Sequence, residues 1–556
     1  MAGGVALLTV PLTLARWWLS QDAVEHLAIA QAWVHGAGFV DPVKWILPAG
    51  GPSPTPALAL RAPAISLLAA IPLGLGASLT TTGVLHAVWA SGVAGLVVPA
   101  ARRCGMRGPA AFAAALLLAT SPAWLALARH VWTEATALLA FLAVLATARG
   151  TVTSARGSLL CAVTTFLASL CRPNLIALAL AVLVAGAAQS GVQRAARVRG
   201  LAIYALALAG FVFAYRACVV HAIGEAPYAR YQTLFQVETT AEVWQYARAD
   251  HGVLAYVASH GDLLATRAAR TFADLVRVLF LEPTYHGIGW LALPGFAFAL
   301  RSGERALERR FLALSGLGLA FVALLYVDFD RARFPLFTAA AASLSGFAWL
   351  DARAQALERG LSVRHGIAAR ALGWAPLVLA CGPLAISLPG SLRHAAEGIA
   401  FYREQGTQER LWPELDVRMR PLCCAFAPGE RIASVDPWTT HLWCGHATTM
   451  LPSDLAEPGV LEVFLAQEQP DWLIAAAEEP ALRRSPRLRL RHRRDGLVLY
   501  QVEAPPGPGR SRARAWNAPP PLACAGRVER CAEAIDARAR PRPRPARPAR
   551  ATSDFR

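Results

Sequence analysis

Lysine is nearly absent from this chain beside abundant arginine, and only 16% of its residues are charged. The first scarcity is the residue usage of a GC-rich, bacterial genome. The second excludes an ordinary soluble protein, which at 556 residues would divide into several domains and alternate its apolar residues. No CxxC pair or Cys/His spacing appears, so no metal site is expected. There is no P-loop and no GxGxxG after a strand, which excludes cytoplasmic nucleotide hydrolysis. The first apolar block has no basic residues ahead of it and no small-residue cleavage motif behind it. It reads as a retained first span rather than a removed signal peptide.

What is present is apolar sequence in long blocks, such as 112–128 and 201–220, within a chain that is 55% hydrophobic with a mean hydropathy of +0.38. Blocks of that length span a hydrocarbon core as helices. Alanine and glycine fill them, as close helix packing in lipid requires. A net charge of +17 and a pI near 10.1 would suit nucleic acid. The basic residues, however, sit in short loops between apolar blocks or in a Pro/Arg tail, and no folded basic module stands out. No nucleic-acid partner is expected.

Short loops rich in Lys and Arg stay in the cytoplasm. Those loops are 101–108 (Arg102, Arg103, Arg107), 149–157, 189–200 (Arg194, Arg197, Arg199), 301–310 and 351–370. All five fall on one side only if 63–77 does not cross the membrane. That segment is short and carries Pro72, Gly74 and Gly76, so it is read as an interfacial or re-entrant helix on the outer side.

The expected order starts with a span near 2–19 and a long outer loop, 20–80. Spans near 82–100, 109–127 and 135–149 follow, with an outer turn at 129–134 between the last two. Two tight segments, 158–171 and 174–188, meet at Arg172-Pro173 on the outer side. After a span near 200–220 comes a second outer segment, 221–286, and then spans at 287–300, 311–327, 334–350 and 371–391. The fold class is therefore an all-α membrane bundle of about eleven spans over residues 1–392. Residues 393–505 read as a small extracytoplasmic α/β domain. In it, 431–435 and 471–475 are buried strands, 458–468 is a helix, and 487–491 with 497–502 form a hairpin through Asp495-Gly496. Cys423, Cys424 and Cys444 can supply a disulfide there, and Cys524 and Cys531 can close a small loop in the tail. The tail, 506–556, repeats Pro and Arg and is expected to be disordered.

Chemistry would sit on the outer side. In the first outer loop, helical spacing puts Asp22, Glu25 and His26 on one face, with Val24 and Leu27 turned away. An acidic pair there suits a general base. It equally suits a helix start in which Asp22 is the N-cap and Glu25 completes a capping box. Glu134 lies at the outer end of an apolar hairpin, where an acid is solvated, paired or functional. Arg61, Arg172, Arg331 and Arg333 stand at outer membrane boundaries. They could neutralise a lipid phosphate through bidentate bonds, or merely snorkel to the interface.

Several of these residues fall in an ordered set of motifs. They are Asp22-Ala-Val-Glu25-His-Leu-Ala-Ile-Ala30 with Gly36-Ala-Gly38-Phe39, then Arg61-Ala-Pro63, then Thr120-Ser-Pro122 followed by Thr133-Glu134. Cys171-Arg172-Pro173-Asn174 and Arg331-Ala-Arg333-Phe334-Pro335 complete the set. Over roughly residues 1–350 it resembles the GT-C glycosyltransferases, in particular glycosyltransferase family 39 with its protein O-mannosyltransferases and lipid A aminoarabinose transferases. The resemblance implies transfer of a hexose or pentose from a polyprenyl-phosphate donor to a lipid, glycan or protein acceptor at the cytoplasmic membrane. It makes Asp22 the general base and lets Glu134 help hold donor or acceptor. Glu25 and His26 line the same acceptor and donor site, and Arg61, with Arg172, Arg331 and Arg333, contacts the lipid phosphate. It leaves the need for a divalent metal open. Family members often carry Tyr where this chain has His26, and an acid where it has Ala23, so the acceptor class stays open as well. The alternatives are a non-catalytic transporter or flippase for a lipid-linked glycan, or an assembly scaffold. Transporters tend to show inverted repeats and mid-bilayer charges, and neither is visible here.

Overall fold

The computed structural model describes residues 2–15, 20–47, 52–230, 253–301, 306–324, 330–361, 421–476, 479–494 and 496–503. It adds a short stretch at 240–246 and scattered positions elsewhere. Of the expected span 371–391 the continuous described part is 374–380, helical over 375–380, while the tail 506–556 with Cys524 and Cys531 lies outside the described residues.

The protein is mainly helical. The first helices are α1 (Ala2–Ala15), α2 (Gln21–Val34), α3 (Pro63–Gly74), α4 (Leu79–Arg103), α5 (Gly108–Ala119) and α6 (Pro122–Arg129). They are followed by α7 (Thr133–Ala148), α8 (Gly150–Thr153), α9 (Ala155–Cys171), α10 (Leu178–Ala187) and α11 (Arg194–Ile223). Further on come α12 (Val253–Ser259), α13 (Gly261–Val276), α14 (Gly289–Ala299), α15 (Ala306–Ala323) and α16 (Leu336–Leu361). Among the described residues, three helical stretches are long and apolar enough to cross a membrane: Leu79–Arg103, Thr133–Thr153 and Arg194–Ile223. Four shorter apolar helices, Pro63–Gly74, Ala155–Cys171, Pro173–Ala187 and Gly289–Ala299, accompany them.

The expected span near 109–127 is a pair, α5 and α6, bent by 64° at a short break. The sequence supplies the cause. Thr120 ends one helix, Ser121 caps the next by accepting from the Trp124 amide, and Pro122 occupies its first turn, where a missing N–H costs nothing.

Small side chains let these helices approach closely. A Cβ built on Gly295 of α14 would stand 2.5 Å from the Gly346 nitrogen of α16, and one on Gly346 would stand 2.6 Å from Leu291 Cβ. The largest core cluster runs through α4, α5, α7, α15 and α16 and is rich in alanine. By contrast, Leu206 and Phe213 on α11 are 74% and 75% exposed, an apolar face of the kind that meets lipid.

The basic loops gather at one end of the bundle. Arg107 Nε donates to Asp351 at 2.7 Å and its Nη1 to Glu358 at 2.5 Å, joining 101–108 to the end of α16. Arg103 reaches the Ala146 carbonyl at 2.7 Å, Arg149 lies 3.8 Å from Glu308, and Arg310 bonds the Ala188 carbonyl.

At the other end lies a six-stranded sheet. Its strands are β2 (Val43–Lys44), β4 (Arg431–Ser434), β5 (Ala447–Met450), β6 (Trp472–Ala475), β7 (Leu488–Arg494) and β8 (Leu497–Val502), in the order β2-β5-β4-β6-β8-β7. β1 (Val40–Asp41) and β3 (Thr55–Pro56) form a separate antiparallel pair. Strands β2, β5, β4 and β6 run parallel, and the β7–β8 hairpin closes the edge antiparallel, with Gly496 in its turn at φ 80°. The inner strands read Ile432-Ala433, Leu473-Ile474 and Leu497–Tyr500, buried throughout, as strands covered on both faces must be. Helices α17 (Pro437–Cys444) and α18 (Val460–Glu468) pack against them, and a Cys423–Cys444 disulfide ties the entry loop to α17. The sheet is therefore not built from the C-terminal region alone: its β2 edge belongs to the first long loop.

Candidate active site

Helix α2 begins at Ser20, whose hydroxyl accepts the Ala23 amide as N-cap. The capping-box reading of Asp22 and Glu25 is thereby corrected. With the cap supplied by Ser20, both carboxylates are left to other partners.

Those partners are arginines from three distant segments. Arg61, just before α3, donates from Nε to Glu25 Oε1 at 2.8 Å, again to Glu25 through Nη2, and from Nη2 to Asp22 Oδ1 at 2.8 Å. Arg333, in the loop before α16, donates to the other Asp22 oxygen and, from Nε at 2.7 Å, to Glu134 Oε1. Arg172, at the end of α9, reaches the same Glu134 oxygen at 2.6 Å. Three guanidinium groups thus alternate with three carboxylates in one network, and the Glu25 and Glu134 side chains are fully buried. Aromatic rings wall it in. The Arg333 guanidinium lies 4.7 Å from the Trp132 ring centre, Arg61 5.7 Å from that of Trp45, and Arg172 5.6 Å from that of Phe334.

Of the remaining candidates, His26 shares the α2 face but bonds Ser66 at 3.1 Å rather than the network. Arg331 stands apart. It is half exposed and pairs with Glu282 at 3.1 Å and Asp274 at 3.6 Å.

Three contributors carry no motif. Trp45 donates its indole N–H to both Glu25 oxygens, at 3.2 and 3.1 Å. Asp41 brings a buried carboxyl beside Glu25 and accepts the Val43 amide at 2.9 Å. Lys44, the sole lysine of the chain, is buried against Glu468 at 2.5 Å.

Electrostatics follow from burial and partners. Burial alone would raise the Asp22 carboxyl, but Arg61 and Arg333 outweigh it and hold it well below the usual carboxylate range. Burial, then the Glu25 charge beside it, pushes the Asp41 carboxyl well above the usual carboxylate range. Burial, reinforced by Arg61, lowers His26 to about 3, which keeps the ring neutral. Among the described residues no group of three or more His, Cys, Asp or Glu side chains could hold a metal ion.

Comparison of the whole structure with solved structures shows the fold. It matches the Archaeoglobus fulgidus oligosaccharyltransferase in its apo form with a TM-score of 0.51 at 13% identity, over 85% of this chain and 69% of that one. It matches ArnT from Cupriavidus metallidurans in the apo state with a TM-score of 0.50 at 13% identity, over 90% and 96% of the two chains. The chain has the GT-C fold. By sequence, no family model and no curated protein matches it. The GT-C fold and the apolar helices together make it a multi-pass membrane protein.

Proposed function

We propose that the chain is an integral membrane glycosyltransferase that moves a sugar from a polyprenyl-phosphate-linked donor to a lipid, glycan or protein acceptor. The reaction takes place at the outer face of the cytoplasmic membrane. One observation carries this reading: Asp22, Glu25 and Glu134 are joined to Arg61, Arg172 and Arg333 in one buried network at the end of the bundle opposite the basic loops. The positive-inside rule puts those loops in the cytoplasm and the network outside. In this reading the C-terminal sheet shares the outer side, and its pairing with β2 of the first loop supports that.

The residue types suit the reaction. The acceptor oxygen forms a bond to the anomeric carbon as the bond from that carbon to the phosphate oxygen breaks. The acceptor proton passes to a carboxylate, and the electron pair departs with the polyprenyl phosphate, whose added charge falls on guanidinium groups. In the network as it stands, Asp22 has an arginine on each oxygen and is a weak base. A donor phosphate that engages Arg61 or Arg333 draws them from Asp22, and the carboxylate regains basicity. Donor binding would thus switch on the base.

Asp22→Asn is expected to abolish transfer in a lipid-linked sugar assay while membrane insertion stays intact, and full activity of that variant would remove Asp22 as base. A deletion strain is expected to lose one glycan or glycolipid, restored by the wild-type chain. Restoration by both Asp22→Asn and Glu134→Gln would show a scaffold instead.

A further inference from the structure

We propose that Lys44 and Trp45 are positioning residues through which the C-terminal sheet sets the Glu25–Arg61–Asp22 limb of the site. The proposal rests on the transferase reading above, since it is a donor phosphate that this limb would meet.

A two-residue strand cannot hold itself in place. β2 is fixed from outside: Val43 pairs with Thr448 and Lys44 with Thr449 of β5, and the Thr448 amide donates to the Pro42 carbonyl at 2.7 Å. Lys44 then places its ammonium on Glu468 of α18, with both side chains about 1% exposed. Glu468 also accepts from the Tyr246 hydroxyl at 3.3 Å, and the Tyr246 amide donates to both Asp454 oxygens, at 3.0 and 2.9 Å. The stretch 240–246 is thereby held on both sides, since the Leu47 amide donates to Val243 and the Ser453 amide to Trp244.

The next residue along, Trp45, turns this anchorage toward the chemistry. Its ring sits 6.1 Å from that of Trp438 on α17, and its N–H is shared between the two Glu25 oxygens. Glu25 in turn holds two nitrogens of Arg61, and Arg61 holds Asp22. A buried carboxylate that loses a donor draws harder on those that remain. Without the indole N–H, Glu25 would bind Arg61 more tightly and leave less of it for a phosphate. A merely structural anchor would need the Trp45 ring but not its N–H, and that difference is what can be measured.

The test uses the purified full chain in lipid nanodiscs, with undecaprenyl phosphate as the probe and native mass spectrometry as the readout. Trp45→Phe keeps the ring against Trp438 and removes the N–H. It is expected to weaken probe binding roughly tenfold or more in a chain that still folds and unfolds cooperatively. Lys44→Glu and Glu468→Lys are each expected to weaken binding, and the double exchange to recover most of it. Wild-type binding with equal binding by a folded Trp45→Phe overturns the inference and leaves the transferase reading standing. Failure of the wild-type chain to bind the probe overturns the transferase reading, and the inference with it.

Discussion

Arg333 joins the two halves of the network, and its removal has a cost that can be worked out. It touches Asp22 from loop one and Glu134 at the start of α7, and stacks on Trp132. In the network three guanidinium groups face three carboxylates. Arg333→Gln leaves two against three around a Glu134 side chain that is 0% exposed. Breaking a buried pair in this way costs about 3–5 kcal/mol. Arg172 still holds Glu134 and Arg61 still holds Asp22, so the lower end, about 3 kcal/mol, is expected. Adding Glu134→Gln restores the balance of charge and should return about 1–2 kcal/mol as coupling. Arg333→Lys, which keeps the charge but not the fork, should recover only part of the loss. The assay is a double-mutant cycle on unfolding free energies from detergent titration of the purified chain. Single-mutant costs that add within about 0.5 kcal/mol would refute the shared network.

Three further outcomes follow from the same geometry. His26 takes up its proton only near pH 3 when folded but near 6.5 when unfolded, so the unfolded chain binds more protons between those values. Stability is then full above about pH 6.5 and falls by about 1.4 kcal/mol per pH unit below it; a stability–pH profile should lose that slope in His26→Gln. Asp22 shifts downward, so its ion pairs hold from neutral pH down through the ordinary carboxylate range, and the Asp22→Asn difference in stability should stay flat between pH 5 and 8. Gly295→Ala is expected to cost about 1–3 kcal/mol, because its Cβ would meet backbone that cannot give way. Gly92→Ala, with nothing within 4 Å, should be neutral or slightly stabilising in the same titration.

The network members Asp22, Glu25, Arg61, Glu134, Arg172 and Arg333 were legible because charge is scarce in this sequence. An acid or arginine at the end of an apolar block must find a partner, and loop charge fixes which end it shares. Arg331 had the same signature and went elsewhere, since Glu282 and Asp274 stand nearer in the fold. Strands β4, β6 and β8 were readable from continuous apolar runs. β2 was not, because two residues carry no period and its partner lies some four hundred residues away. Trp45 and Asp41 were invisible for the same reason, as their roles come from where β1 and β2 are carried. The bend after α5 was written in Ser121-Pro122 but is indistinguishable in hydropathy from a straight span.

The pairing of Lys44 with Glu468 also sets an order of events in synthesis. The contact joins positions 424 residues apart. At about 5–20 residues per second, the second partner emerges roughly 20–80 s after the first. Throughout that interval the first loop lacks its sheet partner, and Trp45 has nothing behind it. The acids and arginines of the first half can meet, but they cannot be locked. A nascent chain would therefore lack this anchorage until α18 has been made, so that the first loop is locked late in biogenesis.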